Sequence, residues 1–385
     1  MEYFLTEQQK MIKHLARRIA EEKILPVRAE LDESEEFPWA IMKDLADSDM
    51  FRVFIPQEYE GLGGDCFELC LVTEELSRIC SAIAVSYAAS ALGCFTLMDY
   101  GTEAQKRKYL PDIASGKRLT AFALTESTAG SDAGAIKTTA DRVEGGYVLN
   151  GTKQFITNGG EAEIYTIIAL TDKARGARGA SALLVEKGTL GFSFGKKEKK
   201  MGIRASATRE LVFRNCLVPA ESLIGKEGMG FIMMMKLFDR SRPGIGAQAV
   251  GIAQGALEAA VDYAQQRIQF GHPIISIQAV QHMLADMAIQ VEAARALVYA
   301  AARTIDSGAK NFTQESAMAK VFASDIAMKV TTDAVQIFGG AGYMRDYPVE
   351  KMMRDAKITQ IYEGTNQVLR NAIAIELRKR KAKSE

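Results

Sequence analysis

Residues 119–170 read LTAFALTESTAGSDAGAIKTTADRVEGGYVLNGTKQFITNGGEAEIYTIIAL. Within them Ala121 to Thr125, Tyr147 to Leu149, Lys153 to Thr157 and Ile164 to Leu170 are short β-branched and aromatic runs. Glycine- and asparagine-rich turns separate them, among them Glu144-Gly-Gly and Asn158-Gly-Gly. Runs of this kind read as strands. Ala182 to Glu186 and Arg209 to Phe213 continue the pattern. No helix-length period alternates with the strands, which argues against a βαβ sheet and for a compact antiparallel sandwich or barrel.

On both sides of this zone the period changes. From about Thr6 to Gly116 it is helical. Thr6 with Gln9 three residues on is a capping-box start. Phe67 to Arg78 and Ile83 to Tyr100 carry apolar residues at three- and four-residue spacings, and Gly101, Pro111 and Gly116 punctuate them. From about Gly228 the chain is helical and Ala-rich. Gln248 to Arg267, Ile277 to Asp306 and Thr313 to Phe338 are long amphipathic runs that suit a bundle. The expected class is α+β: an N-terminal helical domain over 1–118, a middle antiparallel β domain over 119–227 and a C-terminal helical bundle over 228–385. The terminal basic run, Arg378 to Lys383, reads as a solvated helix end.

Composition narrows the function classes. Lys plus Arg equals Asp plus Glu at 48 each, so no whole-protein field attracts nucleic acid or an acidic membrane. The longest apolar stretch, Ser81 to Met98, is broken by small polar residues, so no membrane span is expected. Met1 to Lys10 lacks the apolar core of a signal peptide, and the expected compartment is cytoplasmic. The five cysteines (Cys66, Cys70, Cys80, Cys94, Cys216) form no CxxC pair and read as buried free thiols. His14, His272 and His282 have no partner at ligand spacing, so no metal site is expected.

Some glycine-rich matches carry no chemistry. Gly244-Ile-Gly-Ala-Gln-Ala249 fits GxGxxA, but Arg240 to Pro243 precede it rather than a strand, and close helix packing explains its glycines better. Neither GxxxxGK[ST] nor GxSxG occurs. Four other segments carry more. Leu124-Thr-Glu-Ser-Thr-Ala-Gly-Ser-Asp132 can present N–H and O–H donors to a planar polar ligand, though by composition it is an ordinary turn. Gly151-Thr-Lys-Gln-Phe-Ile-Thr-Asn158 ends a strand with an aromatic and a hydroxyl. Gln336-Ile-Phe-Gly-Gly340 closes a long helix. Ile361-Tyr-Glu-Gly-Thr-Asn-Gln367 sets one glutamate among apolar and small residues, where a capping or solvated role is the ordinary one.

In this order and spacing the four segments resemble the acyl-CoA dehydrogenase family. Asp239-Arg-Ser-Arg242, Arg267-Ile-Gln-Phe-Gly271, Gln278 and Tyr347-Pro-Val-Glu-Lys351 extend the resemblance over nearly the whole chain. It implies the same three-domain fold, an FAD cofactor and a homotetramer arranged as two dimers. By resemblance, Phe122, Leu124, Thr125 and Ser131 run along the flavin. Phe155, where many relatives have Trp, packs on the ring with Ile156, and Thr157 reaches its N5 side. Arg267, Phe270 and Gln278 resemble contacts to the FAD of a neighbouring subunit, and an arginine fork suits pyrophosphate. Gln336, Gly339, Gly340, Thr365 and Gln367 resemble further FAD contacts. Ser131, Asp239, Arg242 and Gly364 resemble residues on the CoA side.

The resemblance also implies the reaction. Glu363 removes the α-proton of a saturated acyl-CoA, flavin N5 takes the β-hydride, and a 2-enoyl-CoA results. The Glu363 N–H binds the thioester oxygen. Some branched-chain and long-chain members carry the base in the helix equivalent to Asp239–Arg242; here Ser241 stands there, which leaves Glu363. The expected acceptor is an electron-transferring flavoprotein. Glutaryl-CoA members use an Arg near the acyl tail; none lies between Ser81 and Asp99, so an uncharged acyl group is expected. Short to medium straight chain is favoured. The small residues Ala88, Ala89, Ala91 and Gly93 leave a branched or alicyclic substrate as the alternative, and an acyl-CoA oxidase is the other.

Overall fold

A computed structural model of the chain describes residues 3–384, with side chains as far as residue 379. Met1, Glu2 and the distal part of the basic run Arg378 to Lys383 lie outside the described side chains.

The N-terminal part holds α1 (Glu7–Ile19), α2 (Arg28–Ser34), α3 (Trp39–Asp47), α4 (Cys66–Ile79), α5 (Ser81–Tyr100) and α6 (Glu103–Ala114). The start of α1 is as the sequence requires. The Gln9 N–H donates to Thr6 Oγ1 at 3.2 Å, and Gln9 Oε1 accepts from the Thr6 N–H at 3.0 Å. Pro111, read as punctuation, lies inside the last turns of α6. Helix α5 is the one described helix long and apolar enough to cross a membrane. Yet 89% of its most apolar window is buried within the protein. It is apolar all round because it is a core helix. The Thr166 hydroxyl donates to the Gly93 carbonyl at 2.8 Å, and a Cβ on Gly93 would lie 2.3 Å from Thr120 Oγ1. Glycine there lets helix and sheet approach closely.

The middle part is one sheet of β1 (Thr120–Ala123), β2 (Thr139–Val143), β3 (Gly146–Thr157), β4 (Ile164–Leu170), β5 (Ala180–Glu186), β6 (Phe192–Lys197), β7 (Thr208–Pro219) and β8 (Leu223–Ile224). Its order is β6-β7-β3-β2-β4-β5-β8, with β1 beside β4. Most pairs are antiparallel, as expected. The β1–β4 pair and the single β2–β4 contact at Thr139 and Leu170 are parallel. The runs at Tyr147 and Lys153, read as separate strands, form one strand with a register shift between Leu149 and Gly151. A bulge breaks the alternation there without ending the strand.

The C-terminal part holds α7 (Gly230–Gln266), a hairpin of β9 (Ile268–Gln269) and β10 (His272–Pro273), and then α8 (Gln278–Asp306), α9 (Thr313–Phe338), α10 (Val349–Thr359) and α11 (Asn366–Ser384). Helix α7 begins well before Gln248 and continues through Pro243. Its glycines act as packing surfaces. A Cβ on Gly251 would lie 2.3 Å from the Glu74 carbonyl, and one on Gly246 would lie 2.7 Å from Val298 Cγ2. Gly244 is different: a Cβ there meets nothing within 4 Å. The five cysteines are buried free thiols.

Candidate active site

The turn between α10 and α11 is where local and tertiary forces meet. Glu363 has φ +57° and Gly364 has φ +91°. A non-glycine residue held in the left-handed region costs roughly 1–3 kcal/mol and persists only where its surroundings fix it. Here they do. Arg242 Nε, from α7, donates to the Glu363 carbonyl at 3.3 Å, and the same guanidinium pairs with Asp239. Lys320 Nζ, from α9, donates to the Gly364 carbonyl at 2.8 Å and to Asn366 Oδ1 at 3.0 Å. The Tyr362 hydroxyl donates to Gln248 Oε1, whose amide donates to Ser81 Oγ at 2.7 Å. Thr365 Oγ1 accepts from the Val368 N–H at 3.2 Å and so caps α11.

The Glu363 carboxylate accepts a hydrogen bond from Ser241 Oγ at 2.8 Å. Burial pushes its carboxyl above the ordinary range; the Ser241 hydrogen bond, Arg242 and Lys320 pull back only in part. This is the environment of a general base, for which desolvation raises proton affinity toward working pH.

Glu363 lines a cavity of about 150 Å³ together with Leu69, Val85, Ala88, Ala89, Leu92, Phe95, Phe238, Gly244, Ile245 and Tyr362. Phe122, Leu124, Thr125, Phe155, Ile156 and Thr157 line the same cavity. The walls are apolar apart from the hydroxyls of Thr125, Thr157, Ser241 and Tyr362 and the one carboxylate. A carboxylate facing an apolar slot, with hydroxyls at its margin, can take a proton from a weakly acidic carbon.

Comparison with known proteins gives this arrangement a family. Three domain models match in register: the acyl-CoA dehydrogenase N-terminal domain over residues 6–117, the middle domain over 121–216 and the C-terminal domain over 228–377. The chain belongs to the acyl-CoA dehydrogenase family. It is 50% identical over 382 residues to an acryloyl-CoA reductase (NADH) of Anaerotignum propionicum, covering 99% of this chain and 97% of that one. The butyryl-CoA dehydrogenase of Megasphaera elsdenii superposes with a TM-score of 0.95 at 45% identity, covering 98% of this chain and 100% of that one. A chain solved in work on the electron transferring flavoprotein of Acidaminococcus fermentans and flavin-based electron bifurcation also gives 0.95, at 49% identity over 98% of this chain and 99% of that one. The protein is therefore an oxidoreductase of a family of FAD-dependent flavoproteins whose general activity is dehydrogenation of acyl-CoA thioesters.

The acyl-CoA dehydrogenase frame sorts the residues expected from sequence. Phe122, Leu124, Thr125, Phe155, Ile156 and Thr157 converge on the Glu363 cavity. Phe155 has φ +59° and is 57% exposed, an apolar ring at the cavity margin. A planar aromatic cofactor fits such a platform. The strand end that carries it is held from behind. Lys153 is wholly buried; its Nζ donates to the Leu124 carbonyl at 2.9 Å and to Glu126 Oε1 at 2.7 Å. Glu126 also accepts from the Lys137 and Thr138 N–H groups. Burial pushes the Lys153 ammonium down to about 8 against the pull of Glu126. Burial pushes Glu126 up, but Lys153 and the hydrogen bonds outweigh it and hold Glu126 below the usual carboxylate range.

Other expected residues stand elsewhere. Arg267, Phe270, Gln278, Gln336, Gly339 and Gly340 are exposed on the C-terminal part and do not line the cavity. Ser131 and Gln367 are exposed as well. Asp239, Arg242 and Gly364 pack behind Glu363, and the Asp239 carboxylate is engaged by Arg242 and by the Thr313 hydroxyl. From the sequence Lys320 and Lys153 carry no role, and Ser241 stands only as a residue that is not a carboxylate. The one available signal was a lysine inside an otherwise small-residue run, Ala317-Met-Ala-Lys-Val321.

Proposed function

We propose that this chain catalyses FAD-dependent α,β-dehydrogenation of a saturated, uncharged acyl-CoA of short to medium straight chain, with Glu363 as the base that removes the α-proton. The observation that carries this reading is the desolvated Glu363 carboxylate in an apolar cavity shared with the residues expected beside a flavin. FAD, when bound, accepts the β-hydrogen with its electron pair. The chain supplies position and electrostatics. Ser241 orients the carboxylate, Arg242 and Lys320 hold its turn, and the Glu363 N–H is the proposed donor to the thioester oxygen as that oxygen gains charge. Thr125 and Thr157 are the proposed hydroxyl partners of the ring, and Phe155 its stacking face. Arg267, Phe270 and Gln278, exposed in one chain, suit contacts to the cofactor of a neighbouring subunit in a homotetramer.

The lining supports an uncharged acyl group. The wall formed by Leu69, Val85, Ala88, Ala89, Leu92 and Phe95 is apolar, which suits an aliphatic acyl chain. Among the described residues no charged side chain other than Glu363 lines the cavity, which disfavours a dicarboxylate. An electron-transferring flavoprotein is the proposed electron partner.

A second reading concerns direction. The relative at 50% identity is named an acryloyl-CoA reductase, so the same site run backwards, with Glu363 returning a proton to the α-carbon of a short 2-enoyl-CoA, has its own support. Anaerobic titration of the yellow protein with butyryl-, octanoyl-, isovaleryl-, glutaryl- and cyclohexanecarboxyl-CoA tests the main reading. Bleaching of the oxidised flavin band by butyryl- or octanoyl-CoA is expected. Bleaching by the branched or cyclic thioester alone would replace the substrate class, and no bleaching by any would overturn the reading. Oxygen uptake during turnover would mark an oxidase. Reoxidation of photoreduced enzyme by acryloyl- or crotonyl-CoA tests the reductive direction.

A further inference from the structure

We infer that Lys320 is a positioning residue for the reaction: it clamps the turn that carries Glu363 and supplies the cation that favours the ionised base. The inference rests on the proposed role of Glu363. Lys320 sits in α9 beside the fully buried Ala317 and Ala319 and is itself fully buried. A lysine almost never occupies a core position without a partner for its charge. Its hydrogen-bond acceptors here are both neutral: the Gly364 carbonyl at 2.8 Å and Asn366 Oδ1 at 3.0 Å. Both lie within three residues after Glu363, where the chain makes its left-handed turn. Asn366 is fixed in the same helix frame, donating to Ser324 Oγ and Asp325 Oδ1 at 2.8 Å each. The ammonium therefore ties α9 to the turn through a closed set of bonds.

The charge matters as well as the clamp. The other cation at the turn, Arg242 of α7, is already paired with Asp239. On the α9 and α11 side, Asp325 is paired with Arg370 at 2.6 Å. Tyr362, in the turn itself, is engaged by Gln248. That leaves Lys320 as a cation near Glu363 whose hydrogen-bond partners carry no opposing charge. Burial pushes Lys320 down to about 7, Glu363 pulls it up, Arg242 pushes it down and Asp325 pulls it up. On the acid side of neutrality it is therefore charged, and there it favours the carboxylate form of Glu363.

The test compares holoenzymes. Lys320→Met is expected to lower kcat about 10- to 100-fold through misplacement of the base, with KM little changed. It also moves the acid limb of the kcat–pH profile to higher pH, because removal of a nearby cation raises the Glu363 proton affinity. Lys320→Gln, a neutral donor, is expected to recover part of kcat and none of the limb shift. Wild-type kcat and an unmoved acid limb in Lys320→Met would overturn the inference. Should that variant not retain FAD, Asn366→Ala keeps the cation and loosens the clamp. It should lower kcat without moving the limb, and unchanged kcat would overturn the clamp. Glu363→Gln separates the two readings. Turnover retained there sinks the base assignment itself, whereas an inactive Glu363→Gln beside an unaffected Lys320→Met sinks only the role of Lys320.

Discussion

Among the residues that adopt the left-handed region, Glu363 and Phe270 are held there in opposite ways. Glu363 (φ +57°) is fixed by side chains from distant helices: Ser241 and Arg242 from α7 and Lys320 from α9. Phe270 (φ +53°) is fixed locally, by Gly271 beside it (φ +83°) and by the β9–β10 ladder it turns between. Positive φ at both central residues is the two-residue hairpin geometry. Glu363 is half-buried, while the Phe270 ring is 89% exposed. The first turn is braced entirely within one chain and presents a desolvated carboxylate. The second holds an aromatic ring out from the surface beside the exposed Arg267, in a form suited to contact with something outside the chain.

Breaking the first turn's chemistry should give the largest effect. Glu363→Gln is expected to lower turnover by about 10⁴-fold, the upper range for a positioned base, while the bound flavin spectrum stays intact. Rapid-mixing kinetics check it, and a loss under tenfold would remove Glu363 from the reaction. The other buried brace comes next. Lys153→Met leaves Glu126 buried without its cation, a change worth roughly 3–5 kcal/mol. The expected result is a large drop in denaturation midpoint with release of FAD, and a midpoint like the wild type would show that Glu126 relaxes to water. The hairpin should respond in a different observable. Arg267→Ala is expected to weaken FAD retention by about 1.5–3 kcal/mol, the range for a hydrogen bond to a charged group, with turnover restored by added FAD. Equal FAD affinity in the variant would leave the exposed hairpin without a cofactor role.

Ser241→Ala is the smallest and most pointed change. Ser241 donates to the Glu363 carboxylate and so lowers its proton affinity; without that bond the affinity rises further. The acid limb of the kcat profile should move to higher pH, with kcat on the plateau reduced only a few-fold, as expected for one neutral hydrogen bond of about 1 kcal/mol. A shift to lower pH would mean that the serine accepts rather than donates.

The site was partly legible because much of it is carried by short local motifs. Phe122, Leu124, Thr125, Phe155, Ile156, Thr157 and Glu363 were all named from the sequence, and all line the cavity. The braces were not legible. Lys153 looks like a solvent-facing residue of an alternating strand, and Lys320 like the polar face of an amphipathic helix. Only the packing around them shows that both are buried. The start of α7 was missed for a related reason. The amphipathic run reads from Gln248, whereas the helix starts at Gly230 and continues through Pro243, where tertiary packing outweighs the local preference. The reading of close helix packing holds at Gly246, a contact surface for α8, but not at Gly244. The parallel β1–β4 pair was also hidden, since β1 and β4 are far apart in sequence and turn chemistry reports only neighbours.

The sequence by itself determined the order of helical, β and helical zones and the family, and through that resemblance it singled out Glu363 as the candidate base, because these depend on local periodicity and on residue types at fixed spacing. Only the tertiary structure decided how that carboxylate is tuned and held. Desolvation, the Ser241 hydrogen bond and the buried charges of Arg242 and Lys320 act through space, between helices whose separation in the chain says nothing about their distance.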